Sequence, residues 1–143
     1  MQEIIAYADS SFDERMNIAG IGIMIKKGEK ERVYSTWIKA QSNNEAELFA
    51  VYLAGILTEQ QGIIYTDSQT AIAYIAGNIK DKPRTKEQYI RHKHCELIAY
   101  KIRKLGLSVG KIKGHRRVYQ SHAMGNNIAD MLAKAGRAKF YER

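Results

Sequence analysis

Four acidic residues lie beside apolar segments, where an isolated carboxylate would be costly to bury. Asp9 follows the apolar residues 4–8, and Asp67 follows the short strand-like run 63–66. Glu47 and Asp130 each lie within a segment of helical periodicity. Carboxylates that converge repel one another unless a cation holds them, and two hard divalent ions roughly 3.5–4 Å apart can activate water and stabilise a departing phosphodiester oxygen. The set therefore indicates metal-dependent phosphodiester cleavage.

Each acid also has a purely structural interpretation. Asp67 precedes Ser68 and could cap a helix, and Asp9 could simply begin a loop. Glu47 would be stabilised by the dipole near a helix N-terminus, and Asp130 could be a solvated acid of a first turn. The functional prediction depends on the set of four and on no single member.

The charge balance favours a polyanionic partner. The chain has 23 Lys and Arg against 15 Asp and Glu, a formal net charge of +8, although a solvated basic surface would give the same count. The basic residues between positions 80 and 93 form either a phosphate-binding patch or a solvated charge run. They are Lys80, Lys82, Arg84, Lys86, Arg91 and Lys93.

Hydrophobic periodicity predicts the elements that must position these residues. Strands are expected at 4–8, 18–26 and 32–39, with residues 10–17 as a polar turn and 27–30 as a hairpin turn. Helix 44–60, with Asn43 or Asn44 as its N-cap, precedes strand 63–66 and a helix over 68–76 closed by Gly77. A helix at 87–105, a strand at 107–112 and a helix at 126–138 complete the chain. This order predicts an α/β fold with one mixed sheet and helices on both faces.

Length and composition predict one domain, residues 1–143. The single cysteine, Cys95, excludes an internal disulfide framework. The chain has no run of about 18 apolar residues and no signal-peptide pattern at its start. We therefore expect a cytoplasmic protein with no membrane association. We also expect a monomer with no obligate protein partner.

Five motifs occur in the order found in type 1 ribonuclease H, and the sequence resembles that family over nearly its whole length. They are Tyr7-Ala8-Asp9-Ser10-Ser11, Ser42-Asn43-Asn44-Glu45-Ala46-Glu47-Leu48, Tyr65-Thr66-Asp67-Ser68-Gln69, Lys113-Gly114-His115 and Asn126-Asn127-Ile128-Ala129-Asp130-Met131-Leu132-Ala133. The resemblance implies a ribonuclease H-like fold with five strands, three antiparallel and then two parallel. It implies endonucleolytic hydrolysis of the RNA strand of RNA–DNA hybrids, leaving 5′-phosphate and 3′-hydroxyl ends.

The resemblance also assigns residues. It implies two Mg²⁺ or Mn²⁺ ions held by Asp9, Glu47, Asp67 and Asp130, and a mobile catalytic histidine. His115 matches the Lys-Gly-His motif and is preferred, while His122 lies in what should be the freer part of the loop. Hybrid-binding positions follow from the same match, since amides can read the 2′-hydroxyls of RNA. They are Ser11, Asn43, Asn44 and Gln69. Lys82, Arg84 and Lys86 are the predicted phosphate contacts from the basic segment.

The chain departs from the family pattern in three places. The segment between His115 and Asp130 is several residues longer than in typical bacterial members. The basic protrusion is trimmed, with no tryptophan among its basic residues. We also expect no separate N-terminal hybrid-binding domain before Ile4. Two alternatives to a hybrid nuclease stay open. One is a DNA-processing nuclease on the same fold, such as a resolvase or a transposase-like enzyme, against which Asn43, Asn44 and Gln69 argue. The other is a catalytically silent nucleic-acid-binding module, against which the presence of all four acids argues.

Overall fold

The structure is a computed structural model that describes residues 3–112 and 120–143. Its elements are five strands and four helices in these described residues. In chain order they are β1 (Ile4–Asp13), β2 (Ile18–Lys27), β3 (Lys30–Lys39), α1 (Asn43–Leu57), β4 (Ile63–Thr66), α2 (Gln69–Ala76), α3 (Lys86–Lys104), β5 (Ser108–Lys111) and α4 (Gln120–Tyr141).

The strands form one mixed sheet in the order β3-β2-β1-β4-β5. The first three pair antiparallel as consecutive hairpins, whereas β1 with β4 and β4 with β5 pair in parallel. The β2–β3 turn contains Gly28 with φ of 62°, a conformation that costs glycine little. The predicted α/β sheet of three antiparallel and then two parallel strands is confirmed.

The main apolar core lies between one face of the sheet and helices α1 and α3. Alternate residues of a strand point to opposite faces, so β1 directs Ala6 and Ala8 toward these helices. Aliphatic side chains from β2, β4, α1 and α3 fill the layer: Ile21, Ile23, Ile64, Leu48, Val51 and Ile102. This core holds α1 against the sheet and thereby sets the position of Glu47.

Helix α4 packs on the opposite face at short range because β2 carries glycines there. A Cβ atom at Gly22 would lie 2.1 Å from the carbonyl oxygen of Ala129, and one at Gly20 would lie 1.8 Å from that of Ala133. Any side chain at either position would therefore displace α4. The close approach brings the Asp130 turn to the strand that carries Asp9.

Strand β1 is longer than predicted. Residues 10–17 were expected to be a turn, but β1 continues through Asp13, which pairs with Ile18 of β2. The turn is confirmed for residues 14–17 and wrong for residues 10–13, where the polar side chains have partners on neighbouring elements and polarity did not signal a turn. Asp9 consequently lies inside a strand and not at its end.

Two helix starts also differ from expectation. The N-cap of α1 is Ser42, whose side chain accepts a hydrogen bond from the Glu45 N–H, so neither Asn43 nor Asn44 caps it. Helix α4 begins at Gln120, six residues before the predicted start at Asn126. Among the described residues, no helix is long and apolar enough to cross a membrane.

Candidate active site

The site begins where β4 stops pairing with β1. The last paired residues are Tyr7 and Tyr65. Asp9 lies two residues after Tyr7, and Asp67 lies two residues after Tyr65. Residues at equal distances beyond the last pair of two parallel strands lie side by side. Because β1 continues past the end of β4, Asp9 stays fixed by β2 while its other side opens toward Asp67.

Glu47 reaches the same place from α1. It lies in the second turn of that helix and is 6% exposed, close to the 5% exposure of Asp9. One carboxylate oxygen from each of Asp9, Glu47 and Asp67 lies within 4.8 Å of the others. The structure thus brings together three of the four predicted acids, two of them buried.

Burial makes these charges costly. It raises the pKa of Asp9 to about 9, with further contributions from the charges of Glu47 and Asp67. It also raises the pKa of Glu47 to about 7, where the Asp67 charge acts in the same direction and a hydrogen bond from Ser10 opposes it. The Ser10 hydroxyl donates to Glu47 Oε1 at 2.5 Å, while the buried Oε2 has no hydrogen-bond partner among the described residues.

This donor set fits a hard divalent cation. Carboxylate oxygens are the ligands that Mg²⁺ and Mn²⁺ prefer, and an unpartnered buried oxygen such as Glu47 Oε2 is one that an ion would satisfy. A cation at this position would also offset the mutual repulsion that raises the pKa of Asp9.

Asp130 lies near this group but outside it. Its Oδ2 is 3.1 Å from the Lys134 Nζ one turn along α4, and its side chain is 42% exposed. Its charge still contributes to the raised pKa of Asp9, although less than the charges of Glu47 and Asp67 do. The fourth predicted acid is therefore close enough to act electrostatically but is paired with a lysine.

Two supporting residues were not predicted from the sequence. Ser10 orients Glu47 through the hydrogen bond described above, and Asn126 Nδ2 donates to Asp67 Oδ2 at 3.5 Å. Asn126 precedes Asp130 by four residues, a helical spacing that places both on one face of α4. That spacing was a signal in the sequence, whereas nothing in the sequence indicated that Ser10 would face α1.

The predicted hybrid-binding residues lie on the same elements as the acids or within two residues of them in the chain. Asn43 is exposed in the first turn of α1, with Asn44 half-buried beside it. Gln69 is exposed at the start of α2 and accepts a hydrogen bond from Lys111 Nζ at 3.4 Å. Ser11 accepts a hydrogen bond from Arg137 Nη1 at 3.4 Å.

The two candidate histidines differ in what the structure describes. His115 lies outside the described residues. His122 lies in α4, with its ring centroid 4.4 Å from that of Tyr65 and its Nδ1 2.8 Å from the Tyr7 hydroxyl. The expectation that His122 belongs to a freer part of the loop was wrong, because α4 begins before it and packs it against two aromatic rings.

The basic segment forms a groove beside α3. Lys82 and Arg84 line a cavity of about 650 Å³ together with Lys80, Asp81, Pro83, Tyr74, Gln88 and His92. Lys86 begins α3 and is not part of this lining. Two of the three residues predicted to contact phosphate, Lys82 and Arg84, therefore lie on a concave surface.

Comparison with known proteins settles the family. The RNase H family pattern matches residues 1–138. The chain belongs to the RNase H family. The resemblance stated from the motifs and the expected enzyme class, a ribonuclease H, are thereby confirmed. A search of curated proteins found no match.

Solved structures of RNase H domains share the fold. RNase H1 from the halophilic archaeon Halobacterium salinarum is 16% identical, with 96% of this chain and 98% of that one aligned at a TM-score of 0.65. The N-terminal RNase H domain of rv2228c from Mycobacterium tuberculosis is 15% identical, with coverages of 99% and 98% and a TM-score of 0.62. LC11-RNase H1 in complex with an RNA/DNA hybrid is 19% identical, with coverages of 93% and 98% and a TM-score of 0.54.

Proposed function

We propose that this RNase H family member hydrolyses the RNA strand of RNA–DNA hybrids endonucleolytically with two divalent metal ions. The observation that carries the proposal is the group of Asp9, Glu47 and Asp67, whose ligand oxygens lie within 4.8 Å of one another. The structural similarity to a ribonuclease crystallised on an RNA/DNA hybrid supports the substrate. The family match over residues 1–138 supports a single ribonuclease H domain.

Asp9, Glu47 and Asp67 would hold the ions, with Asp130 as a fourth ligand once it leaves Lys134. When bound, two Mg²⁺ or Mn²⁺ ions supply activation of the attacking water and stabilisation of the departing oxygen. Cleavage of the bond to the 3′ oxygen leaves a 5′-phosphate and a 3′-hydroxyl.

The chain's own residues orient this site. Ser10 donates to one oxygen of Glu47 and leaves the other, buried oxygen without a hydrogen-bond partner among the described residues, and Asn126 donates to one oxygen of Asp67. Asp9 lies within a paired strand and therefore has little freedom to move away from Glu47 and Asp67. These contacts preorganise the carboxylates before substrate arrives.

Substrate recognition would use both polar and basic groups. Asn43, Asn44, Gln69 and Ser11 would contact the minor groove, where 2′-hydroxyls distinguish RNA from DNA. Lys82, Arg84 and Lys86 would contact phosphates away from the cleavage point. Action as a monomer with no obligate protein partner and a cytoplasmic location are further parts of the proposal, the latter supported by the free, buried thiol of Cys95.

The decisive test measures cleavage of an RNA–DNA hybrid, duplex RNA and duplex DNA, with Mg²⁺ and with chelator. We expect the wild-type chain to cut only the hybrid and only with metal. Asp67→Asn should lower the rate by roughly 10³-fold or more, equal to about 4 kcal/mol of lost transition-state stabilisation, while hybrid binding persists. Metal-dependent cutting of duplex DNA would instead identify a DNA-processing nuclease, and binding without cleavage a silent module.

A histidine helper is the second part of the mechanism to test. His115 would pass a proton to the leaving oxygen or assist product release, roles that typically contribute about 10²–10⁴-fold in rate. We expect His115→Ala to lower kcat by an intermediate factor with KM nearly unchanged. His122→Ala should cost less activity and more stability, since His122 packs on Tyr7 and Tyr65. A larger kcat loss in His122→Ala would transfer the role.

The phosphate contacts have their own readout. Changing Lys82, Arg84 and Lys86 together to Gln should weaken hybrid binding and lower its log–log salt slope by roughly 0.9 per lost contact. The matched control removes the same charge from Lys27, Lys30 and Arg32, which line a separate pocket at the other end of the sheet. Equal slopes for the two triple variants would show that the groove is only solvated surface.

A further inference from the structure

Helix α3 exposes an unusual outer face. Ten large hydrophobic residues are exposed in the described part of the chain, and four of them lie on this one helix: Tyr89, Ile90, Leu97 and Tyr100, at 53%, 39%, 54% and 50%. Their spacing places them on the side opposite the buried Cys95, Ala99 and Ile102. A solvent-facing helix surface is ordinarily polar, so this concentration requires a reason.

Basic residues alternate with these side chains. Lys93 Nζ lies 5.4 Å from the Tyr89 ring centroid, and Lys104 Nζ lies 5.8 Å from that of Tyr100. Lys101 adds a third exposed cation. We name Tyr89, Lys93, Leu97, Tyr100, Lys101 and Lys104 the outer α3 face.

The outer α3 face contains no acidic residue. Glu96 at its border is already paired, 3.1 Å from His92 Nε2 and 3.3 Å from Lys93 Nζ. Interleaved tyrosines and lysines are the chemistry that holds single-stranded nucleic acid, because unpaired bases stack on the rings while cations contact phosphates. A duplex offers no unpaired base for the rings to stack on, so the aromatic groups favour a single strand.

The helix also leads away from the candidate active site. His94 near its middle lies 3.7 Å from Glu45 in the first turn of α1, whereas the chain just after its end places Leu107 against Gly55 near the other end of α1. From Tyr89 to Lys104 the outer α3 face extends about 22 Å at 1.5 Å per residue. A strand that leaves a duplex at the carboxylates could therefore follow it.

We propose that the outer α3 face binds a single-stranded nucleic-acid segment, and that this segment is the unpaired tail flanking a hybrid. The second clause rests on the proposed function, whereas the first does not. Tyr100 and Leu97 supply the stacking surface, and Lys93, Lys101 and Lys104 supply the phosphate contacts.

The test measures binding by fluorescence anisotropy in chelator, with the full chain and three probes: free single-stranded DNA, a blunt hybrid, and the same hybrid with a single-stranded tail. We expect the tail to tighten binding by about fivefold or more, the low end of what one stacked base contributes. The combined Leu97→Ser and Tyr100→Ala variant should lose that gain and bind the blunt hybrid as the wild type does. Tyr100→Phe should keep it, because the ring remains.

Charge is tested separately. Lys101→Gln with Lys104→Gln should lower the salt slope for the tailed probe by roughly 0.7 per lost contact. The matched control, Lys27→Gln with Lys30→Gln, removes equal charge and should leave the tail's contribution intact. If the wild-type chain binds the single-stranded DNA probe but does not cleave the hybrid, the proposed function is overturned and the binding of single strands by the outer α3 face is not.

Four results would overturn this inference. One is a tail that adds nothing to wild-type binding, and a second is a tail whose gain is kept in the combined Leu97→Ser and Tyr100→Ala variant. Another is Tyr100-dependent binding to phosphatidylserine vesicles with oligonucleotide binding unchanged, which would make the face a membrane contact. The last is Tyr100-dependent self-association in sedimentation without any effect on the oligonucleotides, which would make it a contact between two copies.

Discussion

Asp9 and Asp13 lie four residues apart on one face of β1 and are about equally buried, at 5% and 4% exposure. Asp13 accepts hydrogen bonds from the Tyr141 hydroxyl and from the N–H groups of Arg15 and Met16, and Arg137 lies 3.6 Å away. Its pKa is lowered, chiefly by the Tyr141 hydrogen bond. Asp9 accepts the N–H of Ser10 at 2.9 Å, and its charged neighbours are acids.

The difference separates a structural carboxylate from a ligand. At Asp13 the chain supplies hydrogen-bond donors and a guanidinium, so this buried aspartate connects α4 to the end of β1 and its charge is compensated without a metal ion. Where the neighbours are Glu47 and Asp67, the same side chain is stable as an anion only if a cation is added. Burial alone therefore does not identify a metal site, whereas the absence of compensating charge does.

Exchanging the two acids for amides should have opposite consequences for activity. Asp9→Asn should lower the rate of hybrid cleavage by roughly 10³-fold or more, because it removes a charge that the ions require. Asp13→Asn should retain activity within about tenfold, since Asp13 contacts neither ion nor substrate. Single-turnover kinetics in saturating Mg²⁺ measure both. Comparable losses in the two variants would erase the distinction drawn above.

The stability of the metal-free chain should fall as pH rises. The folded pKa values of Asp9 and Glu47, about 9 and 7, exceed their ordinary values of 3.8 and 4.5, so the folded state binds more protons between about pH 4 and 9. We expect a loss of at least roughly 2 kcal/mol between pH 5 and 9 in chelator, partly restored by Mg²⁺ or Mn²⁺. Urea unfolding across that range provides the measurement.

Three variants serve as controls for this pH dependence. Asp9→Asn should flatten the dependence and stabilise the metal-free chain at high pH, more than Asp67→Asn does, because Asp67 is exposed. Asp13→Asn should destabilise it, since the lowered pKa of Asp13 gives stability that is present above its ordinary pKa and lost as pH falls. A flat profile in the wild-type chain would contradict the raised pKa values of Asp9 and Glu47.

Asp130 is intermediate between the two cases, with one exposed lysine as its partner. Lys134→Gln should free it for an ion and lower the Mg²⁺ concentration for half-maximal activity by about 1.4- to 5-fold, the equivalent of an exposed ion pair worth roughly 0.2–1 kcal/mol. Lys139→Gln, on the same helix and bonded to the Ser35 carbonyl, is the control. A higher Mg²⁺ requirement would mean that Lys134 assists Asp130.

The amino-acid pattern by itself determined much of this protein. Period-two and helical spacing predicted the order of the elements, and the motifs around Asp9, Glu47 and Asp67 placed three acids that the structure does bring together. These predictions succeeded because they depend on local periodicity and on where apolar runs stop. The predictions for the end of β1 and for the cap of α1 were wrong because each depends on a specific contact that residue type does not show. Asp13 pairs with Ile18 of β2, and the Glu45 N–H donates to Ser42.

Only the tertiary structure decided which carboxylates lack a counter-charge. Asp9 and Asp13 are both aspartates in one short stretch, and nothing in that stretch distinguishes their surroundings. Tyr141 and Arg137, more than 120 positions away, reach Asp13 because glycines in β2 let α4 approach the sheet, while Glu47 reaches the Asp9 site from the other side. Electrostatic compensation acts through space, so residues that determine it are set by packing and not by adjacency in the chain.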